Sequence, residues 1–287
     1  MSVGQLAAGR LPAATRRLAQ RDPLVVAAVV VLALVAVIVI AGRWIAPYPP
    51  DLLYAGTPNG PASLDHLFGT DDLGRDILSR VLTGAASSIV APVVVVVLST
   101  ILGMTLAVTA AWFGGLVRGT IARVIDVIFA IPGLVLAVLA VAMFGKGLVA
   151  PVVALSIAYI PVVARLTQTA ASRELGRPYI AALRVQGVSS AAICFRHLVP
   201  ALVPVVAAQA TVGFGYAMLD LAAISFLGLG QQPPAADWGS MIAGGQAAIL
   251  AGAPEQSLFP ALLIVVTVLS VGIIGARATT WAEEKER

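Results

Sequence analysis

The chain has 287 residues, of which 59% are hydrophobic and 11% are charged, with a formal net charge of +4 at pH 7. Because a soluble domain carries roughly a quarter charged residues, this composition excludes an ordinary soluble protein. The few basic residues lie in particular loops, where they are better explained as determinants of membrane topology than as a nucleic-acid surface. The single cysteine, Cys194, excludes an internal disulfide framework.

The N-terminal region raises the question of a signal peptide, because Arg16, Arg17 and Arg21 precede a long apolar run. That run is longer than the usual signal-peptide core. It is followed by Arg43 and Trp44 rather than by a small-residue cleavage site. We therefore expect a retained first membrane helix with an interfacial tryptophan.

A helix that crosses a bilayer needs about 20 predominantly apolar residues. Six stretches meet or nearly meet this requirement: 24–42, 88–111, 121–144, 148–166, 199–224 and 258–276. Pro161, Pro200 and Pro204 predict kinks or ragged ends in the fourth and fifth. The expected fold is an all-α integral membrane protein of about six transmembrane helices.

The distribution of Lys and Arg predicts the orientation. If the N-terminus is cytoplasmic, 14 of the 18 basic residues fall on the inside, as the positive-inside rule requires. This predicts a cytoplasmic segment 1–23, a membrane domain 24–276 and a cytoplasmic tail 277–287. The outer loops are then 44–87 and 225–257, and the sizeable inner loop is 167–198.

The sequence lacks the signatures of several enzyme classes. Gly145-Lys146-Gly147 has neither the preceding glycine nor the hydroxyl of a phosphate-binding loop. The two histidines, His66 and His197, are predicted on opposite sides of the membrane, so we expect no metal site. Ser240 has no nearby histidine to activate it. We expect a protein without catalytic residues and without a bound cofactor.

The inner loop predicts a helix–turn–helix. Helix-forming residues 179–186 stop at Gly187, which suits the left-handed position after a helix. Ser189 or Ser190 can cap a second short helix that runs to Pro200. The first helix is predicted to be apolar on the side of Tyr179, Ala182 and Leu183 and basic on the other. The residues alone leave two interpretations open: docking into a partner's groove, or contact with anionic lipid.

The outer loops contain two structured segments. In the first, Thr70 is predicted to cap a helix that starts at Asp71, with Asp71–Arg75 and Asp76–Arg80 at ion-pair spacing. Such an interfacial helix fits a membrane-surface brace better than direct contact with substrate. In the second segment, Gly228 and Gly230 predict a sharp turn.

Two acidic residues lie within predicted spans, where ionisable groups are functional candidates by default. Asp126 follows Arg123 by three residues near the inner interface, and a structural pair or snorkelling explains it. Asp220 lies nearer the outer end of its span and is a candidate for the translocation pathway. An intramembrane enzyme would need the two carboxylates together, but they are predicted near opposite faces. A secondary transporter would predict inverted repeats, which are not evident.

Four stretches resemble a known family. Ala181-Ala182-Leu183, Gly187 and 197–200 keep the spacing of the coupling loop of importer-type ABC permeases. The segments 66–80 and 225–240, with 126–132, resemble the C-type permease subunit of dipeptide and oligopeptide importers, and the likeness spans nearly the whole chain. Ala181 stands where the family has glutamate, and the family's usual C-terminal pattern is absent.

The resemblance implies a type I ABC importer permease in the bacterial inner membrane, with both termini cytoplasmic. It implies a heterodimer with a second, B-type permease, two ATPase subunits that bind ATP and Mg²⁺, and an extracytoplasmic binding protein. Peptides are the implied cargo, with nickel, glutathione or another small solute as alternatives. The residues it places in the coupling loop are Tyr179, Ala181, Ala182, Leu183, Arg184, Gly187, His197 and Pro200. Without an acid at Ala181, docking is expected to rest on shape and apolar contact.

Overall fold

The structure, a computed structural model, describes residues 23–286, with side chains as far as Arg277. The predictions made for 1–22 lie outside these residues. In chain order the helices are α1 (Pro23–Ile45), α2 (Ile77–Phe113), α3 (Gly115–Phe129), α4 (Gly133–Phe144), α5 (Val149–Leu175), α6 (Pro178–Val185), α7 (Ser190–Ile193), α8 (Val199–Phe226), α9 (Trp238–Gly244), α10 (Gln246–Leu250) and α11 (Glu255–Glu286). In this part of the chain, β pairing is confined to one isolated bridge between Thr70 and Asp76.

The all-helical membrane fold is confirmed. Five described helices are long and apolar enough to cross a membrane, and a sixth span results if α3 and α4 are counted together. The stretch 121–144, predicted as one span, is divided between α3 and α4, which meet at a bend of 76°. Pro132 causes the break, since it cannot donate to a helical carbonyl and it disfavours a helical Ile131.

The helix predicted to start at Asp71 is also wrong. The segment before Ile77 is a turn, and Asp76 caps α2 by accepting from the backbone N–H of Ser79 at 2.8 Å. The carboxylate of Asp71 instead accepts from the backbone N–H groups of Leu73 and Arg75, each at 2.9 Å. An aspartate that binds its neighbours' N–H groups in this way favours a turn over a helix.

Close backbone contacts hold the bundle together. A Cβ at Gly103 would lie 2.8 Å from the Cβ of Val163, so α2 and α5 can approach closely only with glycine there. A Cβ at Gly42 would overlap the carbonyl oxygen of Leu82, which fixes α1 against α2 in the same way. The larger apolar core joins α2, α5, α8, α9 and α11.

The bundle has two distinct ends. The starts of α2 and α5 lie at the end that carries the 44–87 and 225–257 loops, where the N–H of Gly147 donates to the carbonyl of Leu229 at 3.2 Å. The opposite end carries the 167–198 loop. There Arg184 lies over the ring of Trp112, near the end of α2, at 6.0 Å.

Candidate functional site: the 167–198 loop

The predicted helix–turn–helix is present. Pro178 occupies the first turn of α6, where its fixed backbone angle suits a helix start. Gly187 follows α6 with φ of +78°, a left-handed conformation that favours glycine. Ser189 then caps α7, accepting from the N–H of Ala192 at 3.3 Å. A π-helical turn, Cys194–Leu198, leads into α8, because Pro200 lacks the N–H that would continue a regular ladder.

Buried apolar side chains fix the two short helices to the bundle. Ile180 of α6 and Ile193 of α7 are almost completely buried. Leu198 and Leu202 form a second core with Ala171 of α5, against which Trp112 packs. The loop is therefore held as a rigid feature rather than an unsupported connection.

The side of α6 that packs on the chain contains a residue that the prediction did not name. Ile180, which the sequence reasoning missed, is the fully buried residue, and Leu183 is half-buried three positions later. Helical spacing of three places Ile180 and Leu183 on one face, which packs on the chain, while Tyr179 and Ala182 of the predicted apolar side stay exposed.

Glu174 is the second residue that the sequence reasoning missed. It is buried at the end of α5, accepts from the hydroxyl of Tyr179 at 2.5 Å and pairs with Arg177 at 3.1 Å. Partial desolvation, together with the hydrogen bond to Glu174, raises the pKa of Tyr179 to about 12, so the phenol remains a donor at neutral pH. The sequence feature that could have indicated this role is that Glu174 is the only acidic residue within 167–198.

Replacing Glu174 by alanine is expected to release α6 from the end of α5. The change leaves Arg177 and the Tyr179 hydroxyl without their acceptor, and lost hydrogen bonds to a charged group cost about 1.5–3 kcal/mol. Tryptic cleavage at the arginines of the 167–198 loop should therefore accelerate about tenfold. E174Q is the matched control, because an amide oxygen can still accept from Tyr179. Equal cleavage of E174A and the unmodified protein would contradict this role.

The outward side of the loop includes several exposed apolar residues. Val185 is 89% exposed and Phe195 is 72% exposed. Ala181 and Ala182 are exposed in the same loop. His197 lies half-buried with its ring 6.2 Å from that of Tyr179. Exposed apolar groups on a rigid support are typical of a docking surface. Of the predicted coupling residues, Arg184 lies over Trp112, and Pro200 is exposed at the start of α8.

The two intramembrane acids have different surroundings. Asp126 forms a structural pair, with Arg165 of α5 at 2.6 Å rather than with the neighbouring Arg123. Asp220 accepts from the hydroxyl of Tyr159 at 2.8 Å. Asp220 also lines a cavity of about 280 Å³ between α2, α5 and α8.

Solved structures with this arrangement of helices belong to ABC transporters. One, described as an inward-facing conformation of the MetNI methionine ABC transporter, matches with a TM-score of 0.54 at 22% identity, covering 71% of this chain and 95% of that chain. A second, an amino acid ABC transporter with histidines, has a TM-score of 0.50 at 18% identity and covers 72% of this chain and 94% of that one. At these identities the likeness shows the fold alone, that of an ABC importer permease.

Sequence comparison gives the family. The profile of the binding-protein-dependent transport system inner membrane component matches residues 99–287. The glutathione transport system permease protein GsiD of Escherichia coli O6:K15:H31 is 38% identical over 262 residues, which are 91% of this chain and 86% of that protein. The same protein of Shigella dysenteriae serotype 1 is 37% identical over 262 residues, with the same coverage of both chains.

The chain belongs to the family of binding-protein-dependent transport system inner membrane components. It is accordingly a multi-pass inner-membrane permease subunit of an ABC transporter and is itself non-catalytic. Membership implies that the chain works with an ATPase and with a substrate-binding protein. The resemblance drawn from the sequence motifs is thus confirmed at the level of the ABC importer permease.

Proposed function

We propose that this chain is the C-type permease subunit of an importer for glutathione or peptides of similar size. The observation that carries the proposal is the 38% identity to a glutathione transport permease over 91% of the chain. This favours glutathione, an alternative in the sequence interpretation, over peptides in general as the first cargo to test. Glutathione is itself a tripeptide, so the two readings share their chemistry.

The 167–198 loop is proposed as the ATPase dock. Its rigid support, through Glu174 and Ile180, would transmit a push from the ATPase to α5 and α8, which the loop joins. The exposed surface around Ala181, Ala182 and Val185 supports docking by shape and apolar contact. No acidic side chain at position 181 contributes an anchor.

The proposed assembly contains a second, B-type permease, two ATPases and an extracytoplasmic binding protein. The ATPases would lie against the 167–198 loop on the cytoplasmic side, and both termini of this chain would be cytoplasmic, as the distribution of basic residues indicates. The binding protein would deliver cargo to the 44–87 and 225–257 loops. ATP and Mg²⁺ would be bound by the ATPases.

Transport by the complete complex in proteoliposomes tests the proposal. The complex should be reconstituted with its ATPases facing outward and its binding protein enclosed. Labelled glutathione loaded inside should then leave the vesicles when Mg-ATP is added. Dialanine and nickel serve as comparison cargoes. ATP-dependent movement of nickel but of neither peptide would contradict the proposed cargo, and movement of none would contradict the transport role.

A further inference from the structure

Three polar residues and a glycine form a stripe along one face of α8. Gln209, Gly213, Tyr216 and Asp220 follow one another at intervals of four, three and four residues, which places them on the same side of a helix. The stripe extends over roughly 16 Å of helix axis. Because charged and amide side chains are costly against lipid, this face belongs against protein or an aqueous pathway.

The residues of the stripe line the cavity between α2, α5 and α8. Its volume of about 280 Å³ is room for roughly nine water molecules, or for the terminus of a small peptide. Ser99 and Thr100 of α2 and Tyr159 of α5 complete its polar lining. The other lining residues are apolar or glycine, so Asp220 is the charged group in the wall of this cavity.

Asp220 is held in place but not neutralised by a cation. Tyr159 donates to its Oδ2, and among the described residues no arginine or lysine pairs with Asp220, whereas Asp126 has Arg165. Tyr216, on the same stripe, is 64% exposed. Asp220 and Tyr216 line the same cavity one helical turn apart. A carboxylate and an aromatic ring in one cavity can together bind an ammonium group, through a charge-assisted hydrogen bond and a cation–π contact.

We propose that Asp220, oriented by Tyr159 and flanked by Tyr216, receives the α-ammonium group of the cargo as it passes through this permease. The inference rests on the proposed function, since glutathione and linear peptides both carry that group. Asp220 is the binding residue in this account, and Tyr159 is a positioning residue. The site would give this subunit a direct part in selecting cargo, beside the binding protein.

The test compares D220N, D220E, Y159F and Y216L in the complete complex, measuring ATP-driven transport of glutathione and of dialanine. D220N removes the charge but retains an oxygen that can accept from Tyr159. Transport should therefore fall about tenfold or more, and D220E should recover part of it. Y216L should lower transport about twofold to fivefold, and Y159F should have a smaller effect than D220N. Leu219→Ala, at an exposed neighbouring position, is the control.

A structural role for the pair predicts the reverse pattern. If the hydrogen bond between α5 and α8 were all that mattered, Y159F would be impaired and D220N would not, and that result would overturn the inference. Basal ATP hydrolysis and co-purification report whether each variant assembles. If D220N fails to assemble, Y216L decides, because its side chain is mostly exposed; unchanged transport by Y216L would then overturn the inference. Failure of the unmodified complex to transport either cargo would instead contradict the proposed function.

Discussion

Replacing Asp71 by alanine is expected to destabilise the protein by about 3–5 kcal/mol, the cost of leaving buried charges without their partner. Asp71 is completely buried. Its Oδ2 lies 2.6 Å from Nε of Arg75 and 3.5 Å from Nε of Arg80. Arg80, in the first turn of α2, also donates to the carbonyl of Pro50 at 2.8 Å. Through Arg75 and Arg80, the carboxylate of Asp71 therefore connects the two parts of the 44–87 loop to the start of α2.

The midpoint of thermal unfolding in detergent measures the effect. Asp72→Ala is the matched control, because Asp72 is 49% exposed and lies 3.7 Å from Nη2 of Arg75. A long ion pair whose carboxylate is exposed in this way contributes about 0–1 kcal/mol. Asp71→Ala should therefore unfold at a clearly lower temperature than Asp72→Ala. Equal midpoints for the two variants would show that Asp71 does not organise the loop.

Replacing Trp238 by alanine should cost a similar amount, about 3–5 kcal/mol, the range for a buried large aromatic side chain. Trp238 is 1% exposed. Its indole donates to the carbonyl of Val81 at 3.0 Å, and its backbone N–H donates to the hydroxyl of Ser88 at 2.9 Å. The residue thus fastens the 225–257 loop to α2.

The neighbour of Trp238 contributes to the same attachment. Burial raises the pKa of Asp237, whereas the hydrogen bonds that its carboxylate accepts, including one from the N–H of Ser240 at 3.0 Å, lower it.

Thermal unfolding again measures the effect of Trp238→Ala. Trp44→Ala, at a position 70% exposed, should change stability by less than about 0.5 kcal/mol. If both tryptophan variants behaved alike, the attachment would not depend on Trp238.

Much of the fold was predictable because apolar runs of membrane length leave few alternatives to helices. The local signals at Gly187 and Ser189 were equally dependable, since a left-handed residue and a helix cap are properties of short sequence. The likeness to importer permeases supplied the class of the protein.

The errors came where long-range contacts decide the structure. Asp71 was assigned to a helix because its spacing to Arg75 fits one, but burial beside Arg80 makes a turn the better solution. The pairing of Asp126 with Arg165 depends on how α5 packs. The role of Glu174 in holding α6 could not be predicted from the sequence, because the turn at Gly176 is what brings the hydroxyl of Tyr179 to its carboxylate.

Photo-crosslinking tests the central claim, that an ATPase drives this subunit through the 167–198 loop. A photoreactive phenylalanine derivative is placed at Ala182, on the exposed side of α6, and in a second variant at Leu64, 97% exposed in the 44–87 loop. The account predicts a crosslink to the ATPase from position 182 and to the binding protein, not the ATPase, from position 64. An intact complex in which position 64 crosslinks to the ATPase, or position 182 does not, would contradict the account.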